Sequence, residues 1–103
     1  MSFGIWLAER RRQAGLTMRE LAKKCGLSAP YIATLERNTS EPPPLRTCKA
    51  LARPLGISWE EAWRRSFAAR LKRWLKREGY SRIPTEVLLE ITKRIQEADK
   101  QGG

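Results

Sequence analysis

The chain contains no histidine, only two cysteines and no long apolar run. Without histidine it lacks the commonest protein metal ligand and the side chain best suited to acid–base work near neutral pH. Cys25 and Cys48 form a lone pair without metal-like spacing, which argues for neither a disulfide framework nor a zinc site. Both fall on the apolar faces of predicted helices and read as small buried hydrophobes in a reducing compartment. No segment approaches the ~20 consecutive apolar residues that a membrane-spanning helix needs. The opening MSFGIWLAERRRQ places its charges after its apolar residues, the reverse of a secretory signal. The chain is therefore expected in the cytoplasm and not in a membrane. A Gly-rich phosphate loop, a serine elbow and a buried-looking carboxylate pair are also missing, and Glu60, Glu61 and Glu86 are better placed to complement helix N-termini. No enzyme, cofactor or metal is expected.

What the chain has in excess is positive charge. Across 103 residues, 21 Lys and Arg stand against 11 acidic residues, a net charge of +10. Residues 1–58 hold 10 basic and 4 acidic side chains (+6), and residues 59–103 hold 11 and 7 (+4), so neither half is a basic tail. Such a balance favours a polyanionic partner, nucleic acid or an anionic surface. The length allows one small domain, or a minimal domain with an appendage. A core of sixty residues buries only about 60% of its unfolded surface, so help from an appendage is plausible.

The organising stretch is TMRELAKKCGLSAPYIATLERN, Thr17 to Asn38. Leu21, Ala22, Cys25, Leu27, Ile32 and Leu35 are its apolar positions, with Gly26 between two helical periods. Thr17 followed by Glu20 predicts a capping box over helix 17–25. Gly26 supplies a turn where positive φ is expected. Ser28 predicts the cap of a second helix, 28–36, whose Ile32 and Leu35 face the core. Ala29, Pro30, Tyr31, Ala33, Thr34 and Arg37 are then left for its other faces. Two short helices joined so tightly predict a helix-turn-helix with its second helix offered to a partner.

In its LA, its G-L-S turn, its Y-I and its closing L-E-R, this run resembles the helix-turn-helix of the lambda-repressor/Cro-like (xenobiotic-response-element type) family, and the likeness extends from about Trp6 to Trp63. The resemblance implies a double-stranded DNA-binding transcriptional regulator of bacterial or phage type, most simply a repressor, at the nucleoid, with the helix from Ser28 in the major groove. By position in the family motif, Ala29, Pro30 and Thr34 would face base edges. Ser28, Tyr31, Arg37, Thr39 and Ser40 would contact phosphates, with Arg11 and Arg19 behind them. Three positions depart from the pattern: Met18 replaces a common backbone-contacting glutamine, Asn38 the usual glycine after L-E-R, and Pro54 sits late in the fourth helix.

The flanks complete an all-α fold: a five-helix lambda-repressor-like domain with an extended fifth helix and an added C-terminal helix. Phe3–Gln13 predicts helix 1, with Phe3, Leu7 and Ala14 at helical spacing and Trp6 flanking. Its Arg10-Arg11-Arg12 run is either a solvated face or a phosphate clamp. Asn38–Pro44 cannot be helix because three successive prolines lack donors. Helix 4 is expected over 45–54, with Leu45, Cys48, Leu51 and Ala52 inward and its last turn distorted by Pro54. Ser58 to Glu61 predicts a second capping box, opening a fifth helix over 59–78. Helix 6 is expected over 84–98, with Lys100 to Gly103 frayed. The sequence thus divides into a DNA-binding domain, 1–63, and a helical extension, 64–103.

Phe67, Leu71, Trp74 and Leu75 on helix 5, and Val87, Leu88, Ile91 and Ile95 on helix 6, offer apolar surface beyond the domain's own core. Two such hairpins packed together would make a homodimer through a four-helix interface. Alternatively, helix 6 folds back on helix 5 within one chain. A second function stays open on the same residues: an antitoxin-like or anti-regulator protein that binds a protein partner through helices 59–78 and 84–98.

Overall fold

The computed structural model describes residues 1–102 and is all-helical over them. Its elements are α1 (Phe3–Gln13), α2 (Met18–Cys25), α3 (Ala29–Glu36), α4 (Leu45–Leu55), α5 (Trp59–Arg77) and α6 (Thr85–Gly102). The first five form the expected five-helix domain, α5 runs beyond it, and α6 is the addition. α3 lies against α1 and α2, α4 joins α2 to α5, and α6 packs antiparallel along α5.

Local chemistry fixes most boundaries. Thr17 accepts from Glu20 N at 3.1 Å while Glu20 Oε1 accepts from Thr17 N at 2.9 Å, closing the expected capping box. Gly26 at φ 71° and Gly56 at φ 68° end α2 and α4 in the left-handed region, where a Cβ is costly. Pro54 is accommodated: it stands in the last turn of α4, and the helix continues through Leu55 to the Gly56 cap. The second capping box closes on one side only. Ser58 Oγ accepts from Glu61 N, but the Glu61 carboxylate is drawn away to Arg10 Nη2 at 2.7 Å, tying α5 to α1.

Leu7, Leu21, Ile32, Leu35, Leu51 and Cys48 are fully enclosed at the centre. At about 1.5–3 kcal/mol for each large aliphatic side chain, they are the main stabilising term of the domain. Trp6, expected only to flank, is buried, whereas Ala14 lies exposed at the cap of α1. Leu45, expected to point inward, is exposed in the first turn of α4, while Pro42 and Pro43 just before it are buried.

α6 is longer than its apolar pattern implied. Instead of fraying from Lys100, it remains helical to Gly102, and only the expectation for Gly103 lies outside the described residues. Its second half is fastened to the start of α5: Gln96 accepts from Arg64 Nε at 2.9 Å and donates to the Glu60 carbonyl at 3.0 Å, and Lys100 stands 3.7 Å from Glu60. The residue 63/64 division falls inside α5, so the two portions share one continuous helix.

Candidate nucleic-acid interface

The turn between α2 and α3 is built from backbone up. Gly26 reverses the chain, Leu27 N donates back to the Ala22 carbonyl at 2.9 Å, and Ser28 Oγ accepts from Tyr31 N at 3.2 Å to start α3. Pro30 occupies the first turn, where its missing donor would have had no helical acceptor. Ile32 and Leu35 are buried, which fixes the rotation of the helix about its axis. That rotation leaves Ser28, Pro30 and Arg37 exposed and Ala29, Tyr31, Ala33 and Thr34 half-buried.

Of the three base-facing candidates, Ala29 and Pro30 stand together at the open start of α3. Thr34 follows one turn later, but its hydroxyl is engaged, donating to the Tyr31 carbonyl at 2.7 Å with Ser40 Oγ 3.2 Å away. Its methyl group and one lone pair are what it can still offer a base. Ser40 is thereby held beside α3, and Thr39 covers the helix C-terminus by donating from both N and Oγ1 to the Thr34 carbonyl. Asn38 sits at φ 59°, which a glycine would reach at less cost. Its amide compensates: Oδ1 accepts from Gly4 N at 3.0 Å and Nδ2 donates to Ser2 Oγ at 3.0 Å, fixing the end of α3 to the start of α1.

Tyr31 packs its ring against the core. Burial pushes its hydroxyl pKa up, with Cys48 adding to the rise and Thr47, Arg70 and Arg46 pulling the other way. The phenol therefore stays protonated at neutral pH and able to donate to a phosphate. Arg19, in the first turn of α2, is exposed. Arg11, expected among the phosphate contacts, is turned inward. Its side chain is 12% exposed and is used inward, Nε and Nη2 on the two Glu36 carboxylate oxygens at 2.7 and 3.1 Å and Nη1 on the Leu16 carbonyl at 3.0 Å. The hydrogen bonds it donates to Glu36 hold its pKa up against the effect of burial. Arg11 thus forms a strut between α1 and α3.

Three side chains that the sequence reading left out hold the loop between α3 and α4. The prolines supply carbonyl acceptors and no donors. Donors come from one face of α5: Ser66 Oγ donates to the Pro43 carbonyl, Arg70 Nη2 to the Pro42 carbonyl at 2.7 Å, and Arg73 Nη2 to the Ser40 carbonyl at 3.0 Å. Spacings of four and three along a helix were the available signal, facing a proline run that could not satisfy itself.

The eight residues expected at a dimer interface divide. Leu88 is buried within the chain, Phe67, Leu71 and Leu75 are half-buried, and Leu75 lies beside Leu88 and the α5–α6 connection. Trp74, Val87, Ile91 and Ile95 remain 41–52% exposed. The α5–α6 hairpin therefore closes within one chain and still leaves a stripe of aliphatic side chains at 87, 91 and 95 open to solvent.

The family comparison covers this region: the helix-turn-helix family model matches residues 7–61, just over half of the chain. Among solved structures, a chain of the SinR protein/SinI protein complex is similar at 17% identity and a TM-score of 0.56, with 95% of this chain and 98% of that chain covered. No curated protein sequence matches.

Proposed function

Because the chain belongs to the lambda-repressor/Cro-like helix-turn-helix family, we propose that it is a sequence-specific double-stranded DNA-binding transcriptional regulator, acting as a repressor. The observation that carries this reading is the exposed face of α3. Ser28, Pro30 and Arg37 are open to solvent on a helix whose rotation is set by Ile32 and Leu35, with Ala29 and Thr34 beside them and Ser40 held alongside. Inserted in the major groove, that face would put Ala29, Pro30 and Thr34 at base edges, while Ser28, Tyr31, Arg37, Thr39, Ser40 and Arg19 meet the backbone. Ala29 and Pro30 carry no side-chain hydrogen-bonding groups, so they offer apolar contact such as a thymine methyl, and deformability of the duplex supplies part of the selectivity.

Such a protein would work as a homodimer. One α3 covers about one half-site, and two-fold dimers of this class read half-sites about 34–36 Å apart. The open stripe of Val87, Ile91 and Ile95, with Trp74 nearby, would pair across the two-fold axis. Selection from a random duplex pool tests the reading: it should return one motif with two related half-sites, bound with an affinity that falls by about 10³ to 10⁵ between 50 and 200 mM salt for some 6 to 10 phosphate contacts. Recovery of unrelated sequences with equal affinity would remove sequence specificity from the proposal.

The same stripe supports a second reading, an antitoxin-like or anti-regulator protein whose α5–α6 hairpin takes another protein. The SinR/SinI structure is a complex of two proteins, one of which shares this fold.

A further inference from the structure

The face of α5 that holds the 38–44 loop carries more positive charge than that task uses. Arg70 and Arg73 each commit one Nη to a loop carbonyl. Arg77, one turn beyond Arg73, and Arg46, at the start of α4, are exposed and have no side-chain hydrogen bond or ion pair among the described residues. A shallow depression lined by Glu41, Arg70, Arg73, Trp74, Lys76 and Arg77 joins the loop to the end of α5. Glu41 is its one carboxylate, and Arg73 already faces it at 3.3 Å. Arg73 holds the Ser40 carbonyl beside Thr34 of α3, Arg70 holds that of Pro42, and Arg46 follows the proline run at the start of α4, so the row reaches α3 at one end and the last turn of α5 at the other. Like charges three and four residues apart on a helix repel. Held together in this way, they await a polyanion.

We propose that Arg46, Arg70, Arg73 and Arg77 form a second phosphate-binding strip, which carries the DNA backbone from beside Ser40 onto the extended fifth helix and lengthens the footprint beyond the half-site under α3. The strip rests on the DNA-binding reading and adds to it a site outside the helix-turn-helix. Arginine suits the task, since its fork can keep a carbonyl with one nitrogen and give another to a phosphate oxygen. Trp74, 52% exposed beside these cations, provides an apolar wall for deoxyribose. The strip reads no bases, so it raises affinity for every sequence alike.

The test uses the full chain with R46Q/R77Q, which leaves the loop-holding Arg70 and Arg73 in place, alongside K93Q as a charge-change control on α6. Binding to a selected duplex is measured from 50 to 200 mM salt, with hydroxyl-radical footprinting. At about 0.9 in slope per phosphate, two lost contacts should flatten the salt dependence by about 1.8, roughly a ten-fold smaller change in affinity over that range. Protection should shorten at the flank while the selected motif stays the same, and R46K/R77K should restore most of the slope. A slope and footprint equal to those of K93Q would overturn the strip and leave the α3 reading standing. A wild-type chain that protects no site and shows no salt dependence would end both.

Discussion

Gly4 and Glu36 meet backbone to backbone: a Cβ built on Gly4 would stand 2.3 Å from the Glu36 carbonyl oxygen and 2.7 Å from that of Leu35. Both obstacles are main chain at the last turn of α3, so nothing can swing aside. Gly4 is helical and needs no unusual φ, so its lack of a side chain serves the approach of two helices.

Gly4→Ala should therefore push α1 off α3 and weaken the Asn38 and Arg11 links on either side. An overpacking cost of about 1–3 kcal/mol is expected, read as a lower urea midpoint with unchanged m-value. A substitution in open space, Gly26→Ala, should act only through its left-handed φ. Equal stability of Gly4→Ala and wild type would mean that the approach is looser than described.

The Arg11–Glu36 pair should behave as structure and not as DNA contact. Removing one partner of a pair this enclosed leaves the other uncompensated, so Arg11→Gln or Glu36→Gln alone should cost on the order of 3–5 kcal/mol. The double change to Met and Leu should cost much less than the sum of the two. In the folded fraction, Arg11→Gln should keep the wild-type salt slope for DNA. A slope lower by about 1 would return Arg11 to the phosphate-contacting set.

What could be read in the sequence was mostly local. Caps at Thr17, Ser28 and Ser58 and turns at Gly26 and Gly56 depend on residues within four positions, and each forms where expected. What local reading missed involves partners far along the chain. Arg11 finds a carboxylate 25 positions away, Glu61 leaves its own cap for Arg10, and Lys100 near the end of α6 comes within 3.7 Å of Glu60. The loop anchors Ser66, Arg70 and Arg73 could be inferred only once α5 was known to run beside the prolines. For the candidate interface, helix phase alone puts Ala29, Pro30 and Arg37 off the core face, whereas their roles, and the choice of Ser28 and Ser40, rest on the resemblance to the family motif. Thr34 needed the structure, because its hydroxyl is occupied by Tyr31 and Ser40.

Thr34 should accordingly read at most one base pair, and weakly. Thr34→Ala removes the methyl–hydroxyl pair from the groove and releases Ser40, so preference at one position should change by an amount near the lower end of about 1–3 kcal/mol. Repeating the duplex selection with the variant measures this. An unchanged motif would remove Thr34 from the readers.

Cys48 gives a pH signature. Burial pushes its thiol up to about 11 from an ordinary 9.0. A folded-state pKa above the unfolded one contributes stability that is complete below about pH 9 and is lost as pH rises towards 11. Cys48→Ala should lower stability at neutral pH by leaving a small void, yet flatten the alkaline decline. Thiol reagents at pH 7.5 should reach Cys48 only on unfolding, and half-buried Cys25, whose thiol burial also pushes up, slowly. Rapid labelling of both in the native chain would contradict the packing.

Intrachain closure of the hairpin and dimerisation make different demands on α6. Leu88 and Thr92 already hold α6 on α5, so the hairpin does not need a second copy to form. Val87, Ile91 and Ile95 are different, because they lie four residues apart on one face and remain 41–48% exposed. Ile91→Glu should therefore leave helicity and monomer stability near wild type, since surface changes usually stay within about 0.5 kcal/mol. In sedimentation at micromolar concentration the wild-type chain should be dimeric and Ile91→Glu monomeric, with protection falling from two half-sites to one. Leu88→Ala, by contrast, should destabilise the hairpin by about 2–5 kcal/mol whatever the oligomeric state. If the wild-type chain sediments as a monomer and still protects two half-sites, the stripe at 87, 91 and 95 is not the dimer contact, and the surface is left to a different protein.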